Sequence, residues 1–210
     1  MLQFITHRTP RYGYIDGAIA ALNGGCKWIQ MRMKDATTDE VKEAVAQLQP
    51  LCKKHKAILL LDDYVELVAQ LDVDGVHLGK NDMPIEQARE LLGEKYIIGG
   101  TANTFDDVVK HVKAGADYVG VGPYRYTDTK QNLSPILGIE GYKNIVKQCK
   151  NANIDIPIVA IGGIEVGDLA TLMQAGVSGV AVSGAILRAE DPTQTTKNII
   201  ETLNKIHYGE

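Results

Sequence analysis

Residues 156–183 read IPIVAIGGIEVGDLATLMQAGVSGVAVS, and this stretch decides the fold. Two short runs rich in Val, Ile and Ala, at residues 156–163 and 179–183, flank a segment that stops at Ala175-Gly176. Apolar, β-branched runs of that length suit strands covered on both faces. The segment between them is long enough for the helical crossover that joins two parallel strands. A glycine just past a helix end takes the left-handed conformation that other residues adopt at a cost. The stretch therefore reads as one strand-helix-strand unit.

The same alternation recurs about eight times along the chain. Further strand candidates are LQFIT (2–6), KWIQMR (27–32), AILLL (57–61), GVHL (75–78), YIIGG (96–100) and YVGVG (118–122). Between them lie helical patterns such as residues 38–55, where Val41, Val45, Leu48 and Cys52 recur on one face and Thr38 is placed to cap the first turn. Asn23-Gly24-Gly25 and Ala114-Gly115 supply further helix stops. Eight units in 210 residues leave about 26 residues each, which fits an α/β fold of one domain over residues 1–210, a (β/α)8 TIM barrel. A doubly wound open sheet is the competing architecture, but the first strand-helix turn, ITHRTPRYG, lacks a glycine-rich dinucleotide fingerprint.

Composition narrows the function. With 22 Lys and Arg against 26 Asp and Glu, the net charge of −4 and the absence of a basic run argue against nucleic acid as a partner. No apolar run approaches a membrane span, and MLQFITHRTP has no signal-peptide pattern. Cys26, Cys52 and Cys149 are odd in number and match no metal spacing, so reduced thiols and a cytoplasmic location are expected. A homo-oligomer is compatible with the sequence.

In such barrels the site is built where strands end at the C-terminal face. The two-residue strand period puts Gln30, Arg32 and Lys34 on one side, a set of donors for an anion. An ion pair across the barrel mouth is the structural alternative. Asp62 and Asp63 after strand three, and Asp82 after strand four, lie on neighbouring loops, where paired carboxylates hold a hard cation such as Mg2+; the alternative for Asp62 or Asp63 is capping the next helix. Residues 122–135 form a long polar connection that includes Thr127, Thr129 and Lys130. Glycines at both of the last two strand ends, Gly162-Gly163 and Gly184, suit a phosphate held on backbone N–H groups. His77 ends a strand and reads equally well as packed or as facing the site; His55 and His111 read as surface residues. No nucleophile and no catalytic base stand out.

QMRMK (30–34), LDDYVELV (61–68), DGVHLGKND (74–82), IIGGTANT (97–104), ADYVGVGPYRYTDTK (116–130), AIGGI (160–164) and GVAVSGAI (179–186) stand in fixed order at these strand ends. Together they resemble the thiamine-phosphate synthase family over essentially the whole chain. The resemblance implies a transferase that joins a hydroxymethylpyrimidine diphosphate to a thiazole phosphate with Mg2+, releasing diphosphate before the thiazole nitrogen attacks. It implies that Gln30, Met31, Arg32, Met33, Lys34, Asp62, Thr101 and Lys130 hold the pyrimidine diphosphate, with Arg32, Lys34 and Lys130 acting in the chemical step. Asp63 and Asp82 would hold the metal. Thr127, Asp128, Thr129, Gly163, Val182 and Ser183 would hold the thiazole phosphate. The family usually has Asn where Asp62 stands and more often Ser where Thr101 stands. A thiazole tautomerase on the same barrel is the nearest alternative; it uses a histidine in the loop after strand six, where this chain has Tyr124, Arg125 and Tyr126. A non-catalytic phosphate sensor would need neither Asp63 nor Asp82.

Overall fold

The computed structural model describes residues 1–127 and 134–209. Among them, eight parallel strands close into one barrel: β1 (Leu2–Ile5), β2 (Trp28–Met31), β3 (Ile58–Asp62), β4 (Gly75–Leu78), β5 (Ile97–Ala102), β6 (Tyr118–Val121), β7 (Ile158–Ile161) and β8 (Gly179–Val182). Each strand pairs with the next, and β8 returns to β1 with Gln3 opposite Ala181. Helices fill the seven crossovers, α1 (Tyr14–Asn23), α2 (Thr38–His55), α3 (Val65–Gln70), α4 (Ile85–Leu92), α5 (Phe105–Lys113), α6 (Gly138–Asn151) and α7 (Leu169–Gln174), and α8 (Gly184–Leu187) and α9 (Pro192–Tyr208) follow β8.

Alternation along the strands sorts the apolar residues into two clusters. Phe4, Ile29, Leu59, Leu61, Val76, Ile98, Val119 and Val180 point outward and pack with the helices. Ile5, Leu60, Tyr118, Val159 and Ala181 point inward, joined by Trp28, Ile97 and Ile161. The inner cluster fills the barrel below its mouth, so the strand ends stand on a packed floor.

Several local boundaries differ from the sequence expectation, each for a physical reason. The cap of α2 is Thr37, not Thr38: Glu40 N–H donates to Thr37 Oγ1 at 3.3 Å, and Glu40 Oε2 accepts from Thr37 N–H at 2.7 Å. Strand β7 ends at Ile161 because Gly162 and Gly163 turn to φ +96° and +65°. Strands β3 and β5 run one and two residues further than expected, which brings Asp62 opposite His77 and Thr101 opposite Gly120 in the ladder. The three cysteines are free and buried. No helix among the described residues is long and apolar enough to cross a membrane.

Gly99 shows how tightly the interior is filled, since a Cβ there would run into the Tyr118 ring. Overpacking of this kind typically costs about 1–3 kcal/mol. Gly99→Ala is expected to lose that much stability in urea unfolding. Gly167→Ala, with nothing within 4 Å of the added carbon, should lose less than about 0.5 kcal/mol.

Candidate active site

The end of β2 and the end of β3 meet at one carboxylate. Gln30 Nε2 donates to Asp62 Oδ1 at 2.6 Å, and Arg32 Nε lies 3.3 Å from Asp62 Oδ2. The Arg32 backbone is pinned by Thr6, whose hydroxyl donates to the Arg32 carbonyl at 3.0 Å and accepts from the Arg32 N–H at 2.9 Å. The ion pair considered as a structural alternative for Arg32 therefore forms, and it holds the guanidinium at the cavity, where Arg32 is one of the lining residues. Lys34 stands exposed past the strand end. Met31 and Met33 pack on the outer, helix-facing layer, as alternation requires, so any part they play at the mouth falls to backbone groups.

Asp63 and Tyr64 both adopt left-handed backbone, with φ +65° and +58°. The turn is held by Asp63 N–H donating to the His77 carbonyl at 2.9 Å. Neither Asp62 nor Asp63 caps α3, whose N-cap is Tyr64 with no side-chain bond, so the capping alternative does not hold. On the next loop, Asp82 Oδ2 accepts from Gly79 N–H at 2.5 Å. Burial, and after it the Asp82 charge, push the Asp63 carboxyl above its ordinary range. Two carboxylates that feel each other across neighbouring loops fit a hard cation whose shell is completed by water and phosphate oxygens. A cage is absent: no group of three or more His, Cys, Asp or Glu among the described residues could hold a metal.

The other side of the mouth is built from glycine and hydroxyl groups. Gly163 and Ser183 border the same cavity as Thr6, Thr101, Thr127 and Arg32. The Ser183 Oγ is buried and makes no hydrogen bond among the described residues, and a bound anion would satisfy it. Val182 sends its side chain into the outer layer, leaving its backbone at the cradle. Asp128, Thr129 and Lys130 lie outside the described residues. Arg125 is engaged elsewhere: it grips Asp168 through two bonds of 2.7 Å and donates to the Gly163 carbonyl at 3.0 Å, stapling the loop after β6 to the turn after β7.

Three features escaped the sequence reading. His7 and Arg188 border the cavity, but the first belongs to an aperiodic turn and the second to the end of a short helix. His111, expected at the surface, is half-buried with Nε2 at 2.9 Å from the Thr101 carbonyl. Of the two readings of His77, the packed one holds: it sits between the Tyr118 hydroxyl at 2.9 Å and the Thr101 hydroxyl at 3.0 Å. No pattern of spacing signals such contacts between separate strands.

A closed parallel barrel with a cation and a glycine-lined cradle around one cavity at the strand C-termini, and a carboxylate pair on the loops after β3 and β4, fits the class of α/β-barrel enzymes. The family model described as thiamine monophosphate synthase matches residues 2–186, and the chain belongs to that family of transferases. A thiamine-phosphate synthase of Bacteroides thetaiotaomicron is 63% identical over 199 residues, covering 95% of each chain. One from Flavobacterium johnsoniae is 42% identical over 208 residues, covering 99% of this chain and 96% of its own. The structure of a thiamine phosphate pyrophosphorylase from Pyrococcus furiosus superposes with a TM-score of 0.86 at 35% identity, over 98% of this chain and 96% of that one.

The Asp63 environment has a pH consequence. A carboxyl whose pKa is raised on folding keeps its proton in the native state at pH values where the unfolded chain has lost it, so stability falls as pH rises through that window. Asp63→Asn removes the charge at stake. In chelator, the variant is expected to be more stable than the parent at neutral pH, with the difference fading below the ordinary carboxylate range. Chemical denaturation at the two pH values checks this; an equal difference at both would contradict it.

Proposed function

We propose that the barrel joins 4-amino-2-methyl-5-(diphosphooxymethyl)pyrimidine to 4-methyl-5-(2-phosphooxyethyl)thiazole, giving thiamine phosphate and diphosphate. The observation that carries this reading is the split character of the barrel mouth. Arg32 borders the cavity from the end of β2, with Asp63 and Asp82 on the loops after β3 and β4, while Gly163 and the Ser183 hydroxyl, without a hydrogen-bond partner among the described residues, stand at the ends of β7 and β8. Two substrates that each bear phosphate, with their reacting ends toward each other, match that division.

The chemistry fits the side chains present. The bond between the pyrimidine methylene carbon and the diphosphate oxygen breaks, and its electron pair leaves with diphosphate. The thiazole nitrogen then donates its lone pair to that carbon. The nitrogen carries no proton to lose, so no general base is required. Arg32, held in place by Thr6 and Asp62, would donate to diphosphate oxygens and grow more effective as charge accumulates there. Asp63 and Asp82 would hold Mg2+, which when bound supplies charge neutralisation for the diphosphate. Thr101 would meet the pyrimidine diphosphate, Thr127 and Ser183 the thiazole phosphate. Lys34 and Lys130 are proposed as further cations for the leaving group. The buried free thiols are in keeping with a reducing compartment such as the cytoplasm, and the partners on this reading are small phosphorylated molecules.

Diphosphate release is expected to require both substrates and Mg2+, with thiamine phosphate appearing in equal amount. Folded protein that binds thiazole phosphate but releases no diphosphate would overturn the proposal. Because the two phosphates have separate sites, Asp63→Ala should lower turnover about 10²-fold or more and change thiazole phosphate affinity by less than about twofold. Calorimetric titration of the variant would expose any loss of both together.

A further inference from the structure

Below the cavity a line of four polar side chains runs through the barrel interior. Gln3 on β1 is 2% exposed, and its Nε2 donates to the Tyr118 hydroxyl oxygen on β6 at 3.2 Å. The same hydroxyl lies 2.9 Å from His77 Nδ1 on β4. His77 Nε2 lies 3.0 Å from Thr101 Oγ1 on β5, and Thr101 borders the cavity. The Thr101 carbonyl is pinned independently, by His111 Nε2 at 2.9 Å. Burial holds the Tyr118 phenol far above its ordinary pKa, so the hydroxyl keeps its proton.

The direction of each bond follows from counting donors. A phenol has one proton to give, and a side-chain amide nitrogen only donates. With Gln3 donating into Tyr118, the tyrosine proton must go to His77 Nδ1; were Nδ1 to carry its own proton, the Tyr118 proton would be buried without an acceptor among the described residues, which is costly. Nδ1 is therefore an acceptor, and the imidazole carries its proton on Nε2. That proton is donated to Thr101 Oγ1. The Thr101 hydroxyl then accepts from below, and its own proton is left for whatever occupies the cavity above.

We propose that Gln3, Tyr118 and His77 are positioning residues that fix the Thr101 hydroxyl as a donor toward the pyrimidine diphosphate. The inference rests on the proposed function for the identity of that acceptor, and on the structure alone for the direction of the chain. Three residues that never touch substrate decide whether the residue that does touch it gives or takes a hydrogen bond. An acceptor of electron-rich type, such as a diphosphate oxygen or a ring nitrogen, matches this polarity; a donor group at the same place is rejected.

The direction is tested first in ligand-free protein, by long-range proton–nitrogen spectra of histidine-labelled enzyme. The Nε2–H tautomer of His77 is expected, and an Nδ1–H tautomer or a fully protonated ring would overturn the proposal. Since no substrate is present, this outcome is separate from that of the reaction assay. The functional link is tested by a double-mutant cycle. Tyr118→Phe keeps the ring and removes the proton; it is expected to lower kcat/KM for the pyrimidine diphosphate about tenfold, the scale of one hydrogen bond, with KM for thiazole phosphate unchanged. Thr101→Val should lose at least as much, and Thr101→Ser should restore activity. If Tyr118 acts through Thr101, adding Tyr118→Phe to Thr101→Val costs nothing further. Additive losses, or an equal effect of Tyr118→Phe on both substrates, would reduce Tyr118 to a packing residue and overturn the proposal.

Discussion

The pairing of β8 with β1 is the constraint on which the rest of this molecule depends. Leu2, Gln3 and Phe4 stand opposite Val180, Ala181 and Val182, and that ladder turns an open sheet into a cylinder without edges. Closure does more than satisfy backbone groups. It places the first strand, which delivers Thr6, between the last strand, which delivers Ser183, and the second, which delivers Arg32. Thr6 holds Arg32 through two hydrogen bonds across the β1–β2 pair, and closure brings the β8 end beside them. In an open sheet these would be the far edge and the interior of one layer, and the cationic and cradle halves would not share a cavity.

Closure also fixes how much side chain the interior accepts. Every second residue must point inward, whatever its size. The Tyr118 ring fits because Gly99, its neighbour across the ladder, has no side chain, and the imidazole of His77 fits because a Cβ at Gly120 would come within 3.0 Å of its Cε1. Trp28 packs edge-on against Tyr118 with ring centroids 4.8 Å apart. Small and large residues thus alternate around the cylinder, and the Tyr118 hydroxyl and the His77 ring connect to Thr101 at the cavity. The floor of the site and its polar wiring are one set of residues.

Much of this was legible in the sequence. Period-two and period-3.6 patterns register the local environment of a segment, so the strands, the span of α2 and the glycine stops at Gly25, Gly115 and Gly176 could be read directly, all three glycines having positive φ. The strand-end rule directs attention to Gln30, Arg32, Asp63 and Asp82, and the resemblance adds Ser183, all of which stand at strand ends or on the loops that follow them. What could not be read is whatever depends on which side chains meet across strands. The Gln30–Asp62–Arg32 cluster joins residues up to 32 positions apart, and Gln3 meets Tyr118 across 115. His111 was assigned to the surface because a helix pattern says which face is apolar, not what a polar residue at the edge of that face finds on the strand beside it. The cap at Thr37 was missed for a smaller reason: two adjacent threonines offer the same chemistry, and only the position of Glu40 three residues on distinguishes them.

Asp62 illustrates how a local departure can be absorbed by its neighbours. A carboxylate beside the proposed diphosphate site is repulsive, and an unpaired one at 24% side-chain exposure would be costly to hold. Here one oxygen takes the Gln30 amide and the other faces Arg32 Nε. The charge is thereby spent on orienting the guanidinium before any ligand arrives. Preorganisation of that kind lowers the ordering cost of binding, but it also offers Arg32 a competing anion. The balance favours the ligand only if the guanidinium can meet diphosphate through its terminal nitrogens while Nε stays with Asp62, a division of labour that the fork geometry of arginine permits and the point charge of lysine does not. An aspartate at this position therefore ties the site more strictly to arginine at position 32 than a neutral asparagine would.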